Sequence, residues 1–202
     1  MPPVSPHPFA TRWNHNSHYY PRIAAAVPPG AALVVDVGCG DGTLARYLAR
    51  GGTPVLGIDP DADALPVDEG SDSTARFVQG VAEDLPLADA SVDGLTMVMV
   101  LHHVDHARAL AEVRRVLRPG GVAVVLGYGR VGSALDLPAE VGDLLAHRWH
   151  ARGKTPWEPS VALADPDLTW RQSRRLLRTE LPGGTYRRVP MWRYLYTWTA
   201  PL

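Results

Sequence analysis

The chain has 202 residues, 46% of them hydrophobic and 20% charged, with 20 basic side chains against 21 acidic ones for a net charge of −1. This composition fits a single domain that folds alone and buries about 70% of its unfolded surface, and it excludes general disorder. The balanced charge gives no field toward nucleic acid or anionic membrane, and the single cysteine, Cys39, excludes an intrachain disulfide and a thiolate metal cage.

Residues 1–30 read as an N-terminal cap segment and 31–202 as one domain. The prolines Pro2, Pro3 and Pro8 open a stretch without the cationic and then apolar parts of a signal peptide. No apolar run approaches the ~20 residues that span a bilayer, so the expected location is the cytoplasm. From Trp13 to Tyr20 the segment is dense in aromatic and hydrogen-bonding groups. Between Ala32 and Gly127 short β-branched runs alternate with helical ones, the signature of a parallel sheet covered by helices. The first strand, Leu33–Val37, is continuously apolar and therefore central. It runs into Gly38-Cys39-Gly40-Asp41-Gly42, after which a helix capped by Asp41 carries Leu44, Tyr47 and Leu48 on one face and stops at Gly51. A second strand spans Pro54–Ile58. Pro66 and the cluster Gly70–Ser73 then break the next crossover into a short helical turn and a loop. Strands at Arg76–Gln79 and Gly94–Leu101 follow, then an amphipathic helix over Asp105–Arg118 and a fifth strand at Val122–Leu126. Residues 128–166 read as a lid-like insertion, helical from Gly132 to Ala151 with Pro138 early in it, then loop. A helix over Leu168–Leu181 leads to an antiparallel hairpin, Thr185–Val189 and Arg193–Thr199.

A Gly-x-Gly-x-Gly loop between a buried strand and a helix lets backbone amides approach a ligand at the carboxyl end of the sheet. The dinucleotide fingerprint needs its third glycine at position 43, which is Thr43, and the Gly-Lys-Ser/Thr of a phosphate loop is missing. What remains is an adenosine ligand with a short charged tail. Asp59, Asp61 and Asp63 imitate a calcium loop, but Ala64 and Gly70 stand where glycine and glutamate are required, so they read as an acidic turn. His102 and His103, adjacent at a strand end, are expected to point opposite ways, one of them into the cleft. Arg171, Arg174, Arg175 and Arg178 read as a solvated helix face, since no aromatic stacking platform is interleaved with them.

Six segments in order, VVDVGCGDG at Val34–Gly42, GIDP at Gly57–Pro60, AEDLPL at Ala82–Leu87, SVDGL at Ser91–Leu95, LHHVD at Leu101–Asp105 and VLRPGG at Val116–Gly121, resemble the class I S-adenosylmethionine-dependent methyltransferases. The resemblance implies an α/β, Rossmann-like, seven-stranded and mostly parallel sheet with a C-terminal antiparallel hairpin and strand order 3-2-1-4-5-7-6. It implies S-adenosylmethionine as cofactor, S-adenosylhomocysteine as product, and no metal. Gly38 and Gly40 would line the methionine part and Asp36 would face its ammonium. Asp59 would accept from both ribose hydroxyls. The backbone at Val98 and Met99 would meet the amino group or sulfonium, and Ala82 would offer its amide to adenine. Relatives often carry an acid just before that alanine, where this chain has Val81. Glu83 or Asp84 substitutes, or binding leans on apolar contact with Ile58, Pro60 and Leu85. In a subset of bacterial small-molecule methyltransferases a segment similar to Trp13–Tyr20 folds over the cofactor, so Tyr20, with Tyr19 or Trp13, would shield the sulfonium. His103 and His15 are the candidate general bases. The reading is methyl transfer to an O, N or C nucleophile of a small, aromatic or apolar molecule of specialised metabolism, by a monomer or homodimer. The alternatives are a cofactor-binding protein without transfer, and a tRNA or protein methyltransferase.

Overall fold

In the computed structural model, which describes residues 12–66, 74–157 and 165–202, the apolar run Val34–Val37 forms strand β1 and is buried along its whole length. Strands β2 (Val55–Asp59), β3 (Ala75–Gln79), β4 (Val92–Val98) and β5 (Leu117–Gly127) pair with β1 and with one another in parallel. The hairpin of β6 (Thr185–Val189) and β7 (Arg193–Thr199) closes the sheet, with β7 antiparallel to both β5 and β6. The resulting order is β3-β2-β1-β4-β5-β7-β6, the one the resemblance implies.

Among the described residues there are five α-helices, α1 (Tyr20–Ala24), α2 (Thr43–Ala49), α3 (His106–Val116), α4 (Leu137–His150) and α5 (Trp170–Glu180). On one face α3 and α5 bury Leu110, Val113 and Leu177 against Leu95, Val125 and Tyr196. On the other, α1 and α2 bury Ile23 and Leu44 against Val34 and Leu126, with Met191 from the hairpin turn. Asp105 caps α3 as expected, accepting the Arg108 amide at 3.0 Å. The cap of α2 differs. Gly42 holds that position with φ 71°, because a Cβ there would collide with Phe77 and Pro66, and Asp41 instead accepts from the Thr43 amide and hydroxyl at 3.0 and 2.6 Å. Between β2 and β3 no helix occurs among the described residues. The Gly70–Ser73 cluster lies outside them, and Asp59 and Asp61 each accept the amide two residues on, both at 3.0 Å.

Strand β4 ends at Val98, three residues early, because Met99 turns the chain with φ 61° while its amide donates to the Leu126 carbonyl at 2.8 Å. His102 and His103 therefore sit on a 3-10 turn, Leu101–His103, and not on a strand. Their rings lie side by side with centroids 4.1 Å apart, which corrects the expectation that they point opposite ways.

Helix α4 begins with Pro138 in its first turn, where a missing N–H costs nothing. Arg188 of β6 fastens it, reaching Glu140 at 2.7 Å and Asp143 at 3.1 Å with its guanidinium 4.1 Å from the Trp170 ring. The Trp192 indole also donates to Glu140, at 2.8 Å. A two-residue parallel pairing of Arg12–Trp13 with Thr155–Pro156 joins the N-terminal segment to the chain after α4, and residues 158–164 of the predicted loop lie outside the described residues. The four arginines of the α5 stripe are exposed. Asp143 is buried, so removing its cation leaves an uncompensated charge. Arg188→Met is expected to lower the unfolding free energy in urea by about 2–3 kcal/mol, whereas the exposed Arg175→Met changes it by under about 0.5 kcal/mol.

Candidate active site

The glycine loop leaves β1 with Gly38, Gly40 and Gly42 all at positive φ, 68°, 51° and 71°. Its amides are engaged within the chain. Gly38 and Cys39 donate to the Ile58 carbonyl at 2.7 and 3.1 Å, Gly40 to Asp59 Oδ2 at 2.8 Å and Gly42 to the Cys39 carbonyl at 3.0 Å. Three of these amides brace the loop against β2, and that of Gly42 closes the loop on itself. The glycines serve close approach: a Cβ at Gly38 would run into Val100, and one at Gly57 into Phe77 and Cys39.

Besides Asp41 within it, the carboxylates of Asp36 and Asp59 stand at this loop. Asp36 is buried at 2% exposure; the Thr96 hydroxyl donates to its Oδ1 at 2.7 Å, and its Oδ2 is buried with no hydrogen-bond partner. Burial above all, with repulsion from Asp59 and Asp41, lifts its pKa from the ordinary 3.8 to about 7 against the pull of the Thr96 bond. Tyr20 is buried beside it, its hydroxyl pushed well above the usual range by burial and by the charges of Asp36 and Asp41. Asp59 accepts the Gly40 amide on Oδ2 and the Asp61 amide, at 3.0 Å, on Oδ1, so each oxygen keeps a lone pair for a further donor.

Beyond Asp59 a cleft of about 380 Å³ opens at the carboxyl ends of β2 and β3, lined by Pro60, Gln79, Gly80, Val81, Asp84 and Pro86. Ala82 is buried next to it. The two acids that the sequence offers in place of the absent one separate here. Glu83 turns away to accept the Asp105 amide at 3.0 Å, bracing the start of α3, while Asp84 stands in the cleft wall. Val98 ends β4 and Met99 follows in the left-handed region, a strain of about 1–2 kcal/mol that the Leu126 bond holds in place.

A second group gathers where β5 ends and β7 begins. Tyr128 meets His102 edge-on at 4.7 Å, and Arg193 lies 5.6 Å from the Tyr128 ring while donating to Asn16 Oδ1 at 2.9 Å. His15 Nε2 and His147 Nδ1 are 2.8 Å apart, and Trp192 packs edge-on to His15 at 5.7 Å. Burial, aided by nearby cations and imidazoles, lowers the pKa of His15 and of His102 to about 4, so both are neutral near pH 7. His103 is exposed beside His102. Met191 and Trp192, at φ 61° and 56°, make the tight turn that presents this wall. The N-terminal segment is thus divided: Tyr20 faces Asp36, whereas Tyr19 donates to the Pro190 carbonyl at 2.6 Å and Trp13 lies under Lys154, 5.3 Å from its ring. Sequence reasoning missed Arg193, Tyr128 and His147, while Asn16 falls in the Trp13–Tyr20 segment it singled out. The only signal of the first three is position, at the carboxyl edge of the sheet or on α4, and the topology alone brings them together.

Residues 35–125 match the family described as a methyltransferase domain. Uncharacterized methyltransferases of Mycobacterium tuberculosis and Mycobacterium bovis are each 34% identical over 197 residues, which covers 94% of this chain and 98% of theirs. Among solved structures, S-adenosylmethionine-dependent methyltransferases from Methanosarcina mazei and Mesorhizobium loti share the fold. The first is 22% identical at TM-score 0.62 and covers 91% of this chain and 98% of that one. The second is 21% identical at TM-score 0.62, covering 90% and 97%. The chain belongs to the class I S-adenosylmethionine-dependent methyltransferases. The residues present fit that cofactor: the orphaned oxygen of Asp36 is matched to an ammonium group, the free lone pairs of Asp59 to paired hydroxyls, and the cleft to a flat heterocycle. Among the described residues no helix is long and apolar enough to cross a membrane, and no three His, Cys, Asp or Glu are grouped to hold a metal.

Because folding raises the Asp36 pKa, the folded chain holds that proton more tightly than the unfolded one, so the side chain costs stability above about pH 7 and the cost fades as pH falls toward 4. Without cofactor, Asp36→Asn is expected to be more stable than wild type near pH 8 and equal to it near pH 4 in denaturant titrations, and to bind S-adenosylmethionine at least tenfold more weakly by calorimetry.

Proposed function

We propose that the chain moves the methyl group of S-adenosylmethionine to an oxygen, nitrogen or carbon nucleophile of a small, aromatic or apolar molecule of specialised metabolism, in the cytoplasm. The observations that carry this reading are the ring contacts of Tyr128 with His102 and of His15 with Trp192, furnished by the post-β5 turn, the 3-10 turn after β4, the cap segment and the hairpin. S-adenosylmethionine supplies a methyl on positive sulfur, so the protein has to align a nucleophile and keep water out. In this reading Asp59 accepts the ribose hydroxyls, Asp36 takes the ammonium, and Gly38, Gly40 and Val98 line the methionine part. Pro60, Ala82 and Asp84 bracket the adenine, Asp84 taking the part of the acid that Val81 replaces, while Glu83 acts only through the placement of α3. Tyr20 backs Asp36 from the apolar side. His15 and His102, both neutral, hold the acceptor by hydrogen bonds, and His103, open to solvent next to His102, carries an acceptor proton away.

The test is incubation with methyl-labelled cofactor and small-molecule extracts. Label in a small product together with S-adenosylhomocysteine is the expected result. Tight cofactor binding without turnover on any extract would make the chain a cofactor-binding protein, and label in tRNA or protein would move the acceptor to a macromolecule. With a turned-over acceptor in hand, Asp84→Ala should raise the cofactor KM about tenfold with little change in kcat, whereas His103→Ala should lower kcat about 100-fold for a hydroxyl acceptor. Asp59→Ala should weaken cofactor affinity about 100-fold or more by calorimetry, since two charge-assisted hydrogen bonds are lost.

A further inference from the structure

Gly80, Val81, Asp84 and Pro86 line the cleft, yet no helix or strand runs through residues 80–91. The shape of that stretch is set from outside. At its entrance the Gly80 amide donates to the Asp59 carbonyl at 3.0 Å, and at its exit the Ala90 and Ser91 amides donate to the Arg115 and Val116 carbonyls, both at 2.9 Å. Between these ends Leu85 is buried, and side chains of α3 take both of its backbone groups. Glu112 Oε2 accepts the Leu85 amide at 2.7 Å, and Arg115 Nη2 donates to the Leu85 carbonyl at 3.0 Å.

Arg115 commits its whole guanidinium to this contact. Nη1 donates to the Leu87 carbonyl and to Asp89 Oδ1, both at 2.7 Å, while Nε and Nη2 donate to the two oxygens of Glu112 at 2.7 and 2.6 Å. With the Leu85 bond, each of the five N–H donors of an arginine has an acceptor. The bonds from Arg115 hold the Glu112 carboxyl below its ordinary pKa, so it meets the Leu85 amide as a charged acceptor. Lysine, a point charge with three donors, cannot reproduce this fork.

Asp84 and Pro86 flank Leu85 in the chain, so a Leu85 held at both backbone groups decides where those two stand in the cleft wall. Glu112 and Arg115 do not line the cleft themselves and act on it only through the loop. We propose that Glu112 and Arg115 are positioning residues for the cofactor, holding residues 84–86 where Asp84 meets the adenine amino group. The inference rests on the reading above that puts adenine in this cleft.

The test is a ratio of two affinities, measured by calorimetry on the full chain, because a general loss of stability weakens both ligands alike. Wild type should bind S-adenosylhomocysteine about tenfold more tightly than the analogue with purine in place of adenine, which lacks only the amino group. Arg115→Met should weaken S-adenosylhomocysteine at least tenfold and bring the ratio below about threefold, and Arg115→Lys should restore little of it. Glu112→Gln, which keeps an acceptor for the Leu85 amide, should lower the ratio about twofold. Arg114→Met removes the bonds of the neighbouring arginine to Glu180 on α5 and should leave both affinities unchanged. In hydrogen exchange, Arg115→Met should speed the Leu85 amide at least tenfold more than the Val124 amide of β5, a local loosening that global destabilisation does not produce. A wild-type ratio that survives Arg115→Met, or a Leu85 amide that speeds no more than Val124, overturns the positioning role and leaves the adenine reading standing. A wild type that binds both ligands alike, or neither, overturns the adenine reading and this proposal with it.

Discussion

One carboxylate organises the cofactor end of this molecule. Asp59 takes the Gly40 amide on one oxygen and the Asp61 amide on the other, and so ties the loop after β1 to the turn after β2. Hydrogen bonds to an ionised acceptor are about twice as strong as neutral ones, and here they act at a position only 9% exposed, where competition from water is small. The Ile58 carbonyl adds two more bonds to the same loop. Two strand ends with no covalent link between them are thereby fixed to one another, and the lone pairs left on Asp59 are the ones the proposed cofactor reading gives to the ribose hydroxyls. A loop built this way is rigid before any ligand arrives, which lowers the ordering cost of binding.

Asp36 is the opposite kind of group. It is buried with one oxygen unanswered, and its raised pKa records how poorly the folded chain solvates a charge there. Thr96 on β4 and Tyr20 on α1 close it in from two sides. In the proposed reading the cofactor ammonium supplies what the protein withholds, so stability given up by the chain alone returns as affinity.

The sheet was legible in the sequence because its strands are local. Val34–Val37, Val55–Asp59 and the two hairpin strands are continuous apolar or alternating runs, and their ends fall within one or two residues of the predicted ones. The glycine loop and Asp59 were legible for the same reason. Details that depend on what fills a neighbouring space were not: Gly42 caps α2 because Phe77 and Pro66 leave no room for a Cβ, and Glu83 is drawn from the cleft by the amide of Asp105. The wall opposite was least legible. Asn16 and Arg193 are 177 residues apart in the chain and His15 and His147 are 132 apart, and no short-range pattern encodes such pairings.

The turn at Met191 and Trp192 carries that wall at a cost. Two adjacent residues with side chains hold a left-handed backbone that asparagine or glycine adopts more readily. Complete burial of Met191 and the indole bond from Trp192 to Glu140 keep it there. An easier turn sequence would relax the backbone while removing both the core plug and the indole. If the hairpin tip meets the acceptor as proposed, selection for thermal robustness and selection for the acceptor pull against each other at these two positions, and divergence among relatives there would report a change of acceptor before any change in folding.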